Sequence, residues 1–423
     1  MTKTQGSGPS GTVPPNSSGI RVIVVGLGIG GLSTVIECQR DSIGIASNAA
    51  KVINRWGNGI VAENLAPLLN LVDKMDIYDS SGEFLLESPM SGYGDGQGYP
   101  CHRGELAMTL YNYALTLEGI EFRLGHHIID YWESETQAGV DIDGERLAAD
   151  CVIAADGVHS KARRHITGDD GKPHSSGYAM YRAWFGTEDV AADPEAQWVL
   201  ENTQRGDRDN TSVYIGADIH VMVGTAKGGK EVFWMCTHKD SFEISESWSF
   251  PGKVDEMLEC ISDWPIMPKL KAVIEKTPQE RLIDFKLLWR DPLDTWISNN
   301  GRIMLIGDAA HPYLPTSGQG ASQAIEDAAV VAIALELTGR DNVKKGLKVA
   351  ETLRQNAAGL EFPRPNWIFG HDSQEHAYAE FDKAMESINR NIEYQATNIP
   401  PEVINHRTVD FRETQESQIS VMT

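Results

Sequence analysis

RIMLIGDAAHPYLPTSGQGASQAIEDA, residues Arg302 to Ala328, passes from a strand through a turn and a long loop into a helix. Ile303 to Ile306 is a short, bounded apolar run, the pattern of a buried strand. Gly307 lets the backbone turn, and Asp308 stands just past the strand's carboxyl end, where open α/β sheets bind ligands. A carboxylate there accepts hydrogen bonds from a polyol chain. Pro312 and Pro315 stiffen the loop. Gly318, Gln319 and Gly320 let a flat ligand lie against bare main-chain amides. From Ala321 the apolar residues Ala324, Ile325, Ala328, Val331 and Ile333 fall at helical spacing. The loop amides therefore gather at a helix N-terminus, which favours negative charge. The plainer alternative is a Gly/Pro-rich surface loop before an ordinary helix.

The same strand–turn–helix order occurs twice more. Arg21 to Val25 is mostly β-branched, and Gly26, Gly28 and Gly31 then make G-x-G-x-x-G before a helical stretch from Leu32 to Arg40. In that pattern the first glycine turns the chain, the second admits a pyrophosphate and the third lets helix pack on strand. With 40 glycines in 423 residues the bare pattern is common, so the preceding strand is what gives it weight. Cys151 to Ala155 is the third buried strand. Asp156, Gly157, Ser160 and Arg163 follow as D-G-x-x-S-x-x-R. The alternative here is a D-G turn with a basic helix behind it.

Taken in order, these motifs resemble those of the FAD-dependent aromatic hydroxylases, the single-component flavoprotein monooxygenases, and Trp367-Ile368-Phe369-Gly370-His371-Asp372 is similar to the tail of their fungal salicylate-hydroxylase-like members. Gly307, Asp308, Ala309, Ala310, His311, Pro312, Pro315, Gly318, Gln319, Gly320 and Ala321 match G-D-A-A-H-P…P…G-Q-G. The resemblance implies FAD held by Gly26, Gly28, Gly31, Asp156, Gly157, Arg163, Gly307, Asp308, Pro315, Gly318, Gln319, Gly320 and Ala321. Asp156 orients its neighbours in this reading, and Arg163 faces phosphate, a bidentate role suited to arginine. Arg103, in Cys101-His102-Arg103-Gly104-Glu105-Leu106, matches the family's H-R-x-x-L element near the flavin's polar chain. Its alternative is a surface arginine in the first turn of a helix.

The resemblance further implies that NADPH or NADH reduces the FAD and that O2 then forms a C4a-hydroperoxide. The distal oxygen of that species passes to an electron-rich aromatic small molecule. Tyr181-Arg182-Ala183-Trp184 is similar to the family's domain-junction strand. Arg182 is therefore the candidate catalytic residue, stabilising a substrate phenolate by charge, or else a salt bridge between domains. The family's Tyr-Pro aligns with Gly224-Thr225, so that tyrosine is lost. His220 and His238 are candidate bases, although a structural histidine is the commoner use; His311 belongs to the flavin loop. Flavin disulfide reductases carry a second dinucleotide motif and a redox cysteine pair, and flavoprotein halogenases carry W-x-W-x-I-P; neither signature is in this chain.

One departure stands out. A dinucleotide-binding domain has a second strand ending in Asp or Glu, about 20 residues past the glycines, to hold the ribose. Here Arg40 runs directly into Asp41-Ser42-Ile43, and no acid lies between Ser42 and Ala62. Ile43 to Ala49 resembles a later family segment, G-I-x-x-x-N-A. The family pattern thus has about two dozen more residues between Arg40 and Ile43 than this chain. The alternative to an active enzyme is an FAD-binding protein with little or no turnover.

The formal net charge of −23 lacks the clustered Lys/Arg that phosphate backbones need, so neither nucleic acid nor an anionic membrane is expected as a partner. No apolar run reaches spanning length. The five cysteines are odd in number and scattered, which argues against a disulfide framework or a metal site and fits a reducing, cytoplasmic setting. The expected fold is α/β: a Rossmann-like FAD-binding domain lacking its second strand, an antiparallel-sheet substrate domain and a C-terminal helical segment. The FAD-binding domain is expected over 20–75, 96–176 and 288–340, the substrate domain over 76–95 and 177–287, and the helical segment over 341–405, between a disordered leader (1–19) and tail (406–423). Strands are further expected at Ile120–Leu124 and Val140–Ile142, with a hairpin turn at Lys227–Lys230.

Overall fold

The apolar runs that end in glycine turns pair with one another. In a computed structural model, which describes residues 18–26, 42–90, 98–168, 173–201, 208–240, 250–291, 293–313, 318–358 and 370–396, β1 (Val22–Val25), β9 (Cys151–Ala154) and β16 (Ile303–Leu305) form a parallel sheet in the order β1–β9–β16. Val25 and Leu305 both lie level with Ala154, so the three following turns emerge side by side at one carboxyl edge. Gly28, Gly31, Pro315, the stretch Leu32–Arg40, residues 367–369, the tail and all but the last two residues of the leader lie outside the described residues.

Among the described residues no strand pairs with the outer edge of β1, and Val24 is 61% exposed and Val22 39%. β2 (Ser42–Ile45) instead pairs antiparallel with β5 (Tyr99–His102), and α1 (Ser47–Arg55) follows it. Ile43–Ala49 is therefore not a second Rossmann strand. The expected strand at Ile120–Leu124 is absent; the segment is irregular, with Ile120 and Leu124 exposed. A β-branched, apolar run makes a strand only where a neighbouring ladder satisfies its main chain, and this run has none among the described residues.

The second sheet has eight strands, ordered β14–β15–β10–β13–β12–β11–β3–β4. They are β3 (Lys74–Asp79), β4 (Phe84–Pro89), β10 (His174–Gly186), β11 (Thr211–Gly216), β12 (Ile219–Ala226), β13 (Glu231–Lys239), β14 (Phe250–Pro251) and β15 (Ile283–Trp289). All its pairings are antiparallel except β3 with β11. The β12–β13 turn is Lys227–Lys230, where Lys227, Gly228 and Gly229 all have positive φ. Alternation gives the sheet two faces. Tyr181, Phe185, Val221 and Trp234 share a core with residues of two short helices, Val254–Cys260 and Met267–Ile274. Met180, Arg182, Trp184, Met222, Phe233, Met235 and Phe285 occupy the other face.

α2 (Arg103–Ala114) continues from β5, and α3 (Lys161–Thr167) follows the β9 turn. A meander of β6 (Ile128–Glu133), β7 (Ala138–Ile142) and β8 (Glu145–Ala149) packs beside the parallel sheet. The chain ends in α4 (Gly320–Thr338), α5 (Val343–Ala358) and α6 (Ser373–Arg390). Val330, Leu335, Leu347, Leu353 and Ala377 from these helices join the same core as Val152 and Met304, so the C-terminal segment completes the first layer.

Candidate active site

Gly26 opens the site. Its φ is +89°, and a Cβ there would stand 2.3 Å from the Ala155 carbonyl oxygen, so only glycine lets β1 turn this close to β9. Asp156, the next residue on β9's side, accepts hydrogen bonds from the Tyr131 hydroxyl (2.8 Å) and the Lys161 main-chain N–H (3.2 Å). Burial, and then the neighbouring Asp156 carboxylate, push the Tyr131 hydroxyl well above its ordinary range, so it remains a donor. Gly157 has φ +78° with open space around it. Ser160 caps α3 by accepting from the Arg163 N–H at 3.1 Å.

The Arg163 side chain differs from its sequence reading. Its guanidinium does not stand free to face phosphate; it donates to the carbonyls of Ala309 (3.3 Å), Ala310 (3.2 Å) and Asp291 (2.7 Å). Burial, aided by nearby Arg290, pushes it down to about 10. Its fork ties the second motif to the loop of the third, because main-chain carbonyls are the acceptors within its reach.

Asp308 follows β16 in a short 3-10 turn and is partly exposed. Burial raises its carboxyl above the ordinary range, while His311 and Arg103 oppose that shift. Arg103, partly buried in the first turn of α2, is thus one of the charges felt at Asp308. Gly307 (φ +56°) approaches α4 so closely that a Cβ would lie 3.0 Å from the Ala324 methyl. Gly318 (φ +62°), Gln319 and Gly320 bring the chain into α4, and a Cβ on Gly320 would stand 3.9 Å from Asp308 Oδ1. Ala321, partly buried, packs into the core formed around α1 and α2.

Behind this edge lies a buried polar network outside the sequence motifs. Asp327 accepts from the Gly307 N–H (2.9 Å), meets His311 Nε2 at 2.7 Å and accepts from Arg354 Nε at 2.6 Å. Glu326 accepts from Arg354 (2.9 Å) and from the Asn48 amide (3.2 Å), which also reaches Gln319 Oε1 at 3.4 Å. Burial alone would raise the Asp327 carboxyl, but His311 and Arg354 outweigh it and hold it far below its ordinary range. The available signal was Glu326-Asp327 inside an otherwise apolar helical run, since adjacent buried acids require a cation.

The eight-stranded sheet meets this edge through α2. His102 and Trp184 make an edge-on ring contact at 5.1 Å, and Trp184 stacks on Phe233 at 5.3 Å. Lys227 reaches from the β12–β13 turn to Glu105 (2.6 Å) and Glu231 (3.1 Å), and Glu231 accepts from the Trp184 indole N–H at 2.7 Å. Arg182 is 8% exposed and lies over the Phe285 ring, 4.9 Å from its centroid. His220 shares this face, and burial lowers its imidazole's affinity for protons. His238 is on the opposite face, stacked on Tyr181 at 4.6 Å and 3.4 Å from Asp284, where it serves packing. At Gly224 a Cβ would stand 2.5 Å from the Asn210 carbonyl oxygen and 2.7 Å from the Phe233 ring.

Three turns on one carboxyl edge, bare glycines at two of them and a carboxylate at the third define a dinucleotide cradle. Asp156 Oδ1 and Asn48 Oδ1 are buried beside it with no hydrogen-bond partner among the described residues, leaving acceptors for ligand hydroxyls or waters. The residues therefore fit FAD. A family model described as an FAD binding domain matches residues 132–359, and the chain belongs to the FAD-dependent monooxygenases, with FAD as cofactor. It is 40% identical to asperlicin C monooxygenase of Petromyces alliaceus over 452 residues, covering 96% of this chain and 97% of the relative. That alignment is longer than the 423-residue chain itself, so the relative carries stretches that this chain lacks. The crystal structure of CtdE in complex with FAD and substrate 4 is similar at TM-score 0.81 and 37% identity, covering 88% of this chain and all of CtdE (100%). A salicylate hydroxylase substrate complex shares the fold at TM-score 0.64 and 21% identity, over 96% of this chain and 98% of that one. No helix among the described residues is long and apolar enough to cross a membrane.

Proposed function

We propose that the protein transfers one atom of O2 to an electron-rich aromatic or related secondary-metabolite substrate, with NADPH or NADH as reductant. The observation that carries this reading is the face of the eight-stranded sheet turned away from the helices Val254–Cys260 and Met267–Ile274. There Trp184, Met222, Phe233, Met235 and Phe285 lie around the buried cation of Arg182. The apolar side chains exclude water and suit a flat ring, and Arg182 stabilises negative charge developing on a ring oxygen. FAD, when bound, supplies the two-electron chemistry that activates O2. Asp308 and Arg103 hold its polar chain in this reading, and Gly26, Gly157, Gly318, Gln319 and Gly320 line its path; Gly28, Gly31 and Pro315 keep their motif roles. The similarity to asperlicin C monooxygenase supports a secondary-metabolite substrate. The balance is one NAD(P)H, one proton, one O2 and one substrate consumed, with NAD(P)+, water and the oxygenated product formed.

A second reading, FAD binding with little or no turnover, draws support from the outer edge of β1, which no strand pairs with among the described residues, and from the exposure of Val24. One experiment separates the two. The chain as written is purified, its flavin absorbance recorded, and NADPH and NADH oxidation followed under labelled O2 with a panel of phenols and fused aromatics. Labelled oxygen in a product supports the first reading. Bound flavin without substrate-stimulated NAD(P)H oxidation supports the second.

A further inference from the structure

Glu326, Asp327 and Arg354 are buried to 1%, 0% and 1% exposure, yet charged side chains are rarely buried to this degree unless paired. An apolar set of similar volume packs at least as well as a buried ion cluster, so packing alone does not explain it. What distinguishes the cluster is where its hydrogen bonds end. One branch runs from Arg354 Nε through Asp327 to the Gly307 N–H and to His311, the residues flanking Asp308. The other runs from Arg354 through Glu326 and Asn48 to Gln319, at the entry to α4. A third contact holds Gln323, one turn into α4.

The geometry points to Arg354 as a positioning residue for the FAD site, setting the β16 turn and the α4 entry in fixed relation through the side chains of Asp327, Glu326 and Asn48. The residue comes from α5, beyond all three sequence motifs. Only a planar fork spans these acceptors: Nε serves Asp327, while the two terminal nitrogens serve Glu326 and Gln323. A lysine ammonium keeps the charge but, as a single point on a flexible stem, does not reproduce three diverging contacts.

Three variants test this in the full chain: Arg354→Lys, Arg354→Met, and Glu326→Gln combined with Arg354→Met, in which one carboxylate charge leaves with the cation. FAD affinity is measured by reconstitution of the stripped protein, and amide exchange is followed across 307–311, α4 and α5. Arg354→Lys is expected to keep α4 and α5 protected, to speed exchange at the Gly307 amide and to raise the FAD Kd about tenfold, the effect of losing a charged hydrogen bond. The double variant is expected to fold and to show the same loosened turn and weakened affinity. Wild-type Kd and wild-type Gly307 protection in both the lysine and the double variant would overturn the proposal. So would faster exchange spread evenly through α4 and α5 with FAD affinity unchanged, which marks a stabilising role only.

Discussion

Inserting a strand that ends in glutamate between Arg40 and Ile43 should change two properties independently. The first is apolar exposure. Val24 and Val22 are 61% and 39% exposed on a strand whose other edge is fully paired, and together that amounts to one valine side chain in water. Covering one such side chain contributes about 1.5–3 kcal/mol. Each main-chain hydrogen bond gained along the β1 edge adds roughly 0.5–1.5 kcal/mol net. The ordering of the new strand opposes this at about 1–2 kcal/mol per residue, offset by burial of its own apolar side chains. The second property is cofactor affinity, because the terminal carboxylate would accept the adenosine ribose hydroxyls. A charged hydrogen bond is worth on the order of 1.5–3 kcal/mol, or ten- to a hundredfold in Kd. The assay is FAD titration of the two proteins side by side, with light scattering and thermal midpoints at equal concentration. The inserted protein should bind more tightly and scatter less. Equal affinity and equal scattering would mean that another segment already covers β1, and the inference of a missing strand would fall.

Asp308→Ala should weaken FAD binding ten- to a hundredfold, about 1.5–3 kcal/mol; full retention of FAD through dialysis would remove Asp308 from the site. Because burial raises this carboxyl above its ordinary range, against the pull of His311 and Arg103, FAD affinity should begin to fall on acidification at a higher pH than an ordinary aspartate would give, and Asp308→Asn should flatten that dependence in a titration series. Arg182→Ala should slow product formation while leaving FAD bound, and an unchanged rate in rapid-mixing experiments would return Arg182 to a purely structural role. Gly26→Ala forces a Cβ to 2.3 Å from the Ala155 carbonyl at positive φ, costing at least about 1–2 kcal/mol in backbone strain alone; an unchanged thermal midpoint would contradict the described turn. Burial, then His376 and Arg354, lower the His371 imidazole from 6.5 to about 3, so it is neutral in the folded chain while the unfolded chain takes up a proton below 6.5. Its contribution to stability is therefore present above pH 6.5 and lost as pH falls toward about 3, and His371→Gln should show a shallower acid slope in urea denaturation.

The legible parts of this molecule were those where local chemistry leaves few options. Gly26 and Gly307 each follow a short β-branched or apolar run, and such a run ending in a glycine turn is a strand wherever a partner exists. Lys227–Lys230 contains two glycines between alternating runs, and the turn needs their positive φ. The same rule failed at Ile120–Leu124, because strand propensity describes a half-buried pleated surface and supplies no neighbour. Glu326 and Asp327 announced a buried cation without saying which; Arg354 is 27 residues further on, in a different helix, and only packing selects it. The D-G-x-x-S-x-x-R pattern pointed Arg163 at phosphate, whereas its guanidinium donates to main-chain carbonyls, which leave no mark in a sequence. The clamp from Lys227 to Glu105 was equally silent: two ordinary surface-type residues become partners through the meeting of β13's turn and α2.

The register of the parallel sheet also fixes an order of events during synthesis. Val22 pairs with Cys151, and the next strand begins only at Ile303. At roughly 5–20 residues per second the ribosome delivers the first partner of β1 on the order of ten seconds after β1 itself, and the third strand later still. Throughout that interval both edges of β1 are open to other nascent chains. Once β9 arrives one edge is closed, while among the described residues no strand closes the other and Val24 stays 61% exposed. That long wait for a partner exposes β1 to the pairing errors that chaperones ordinarily suppress, so cellular yield should depend on chaperone supply more steeply than activity per folded molecule does.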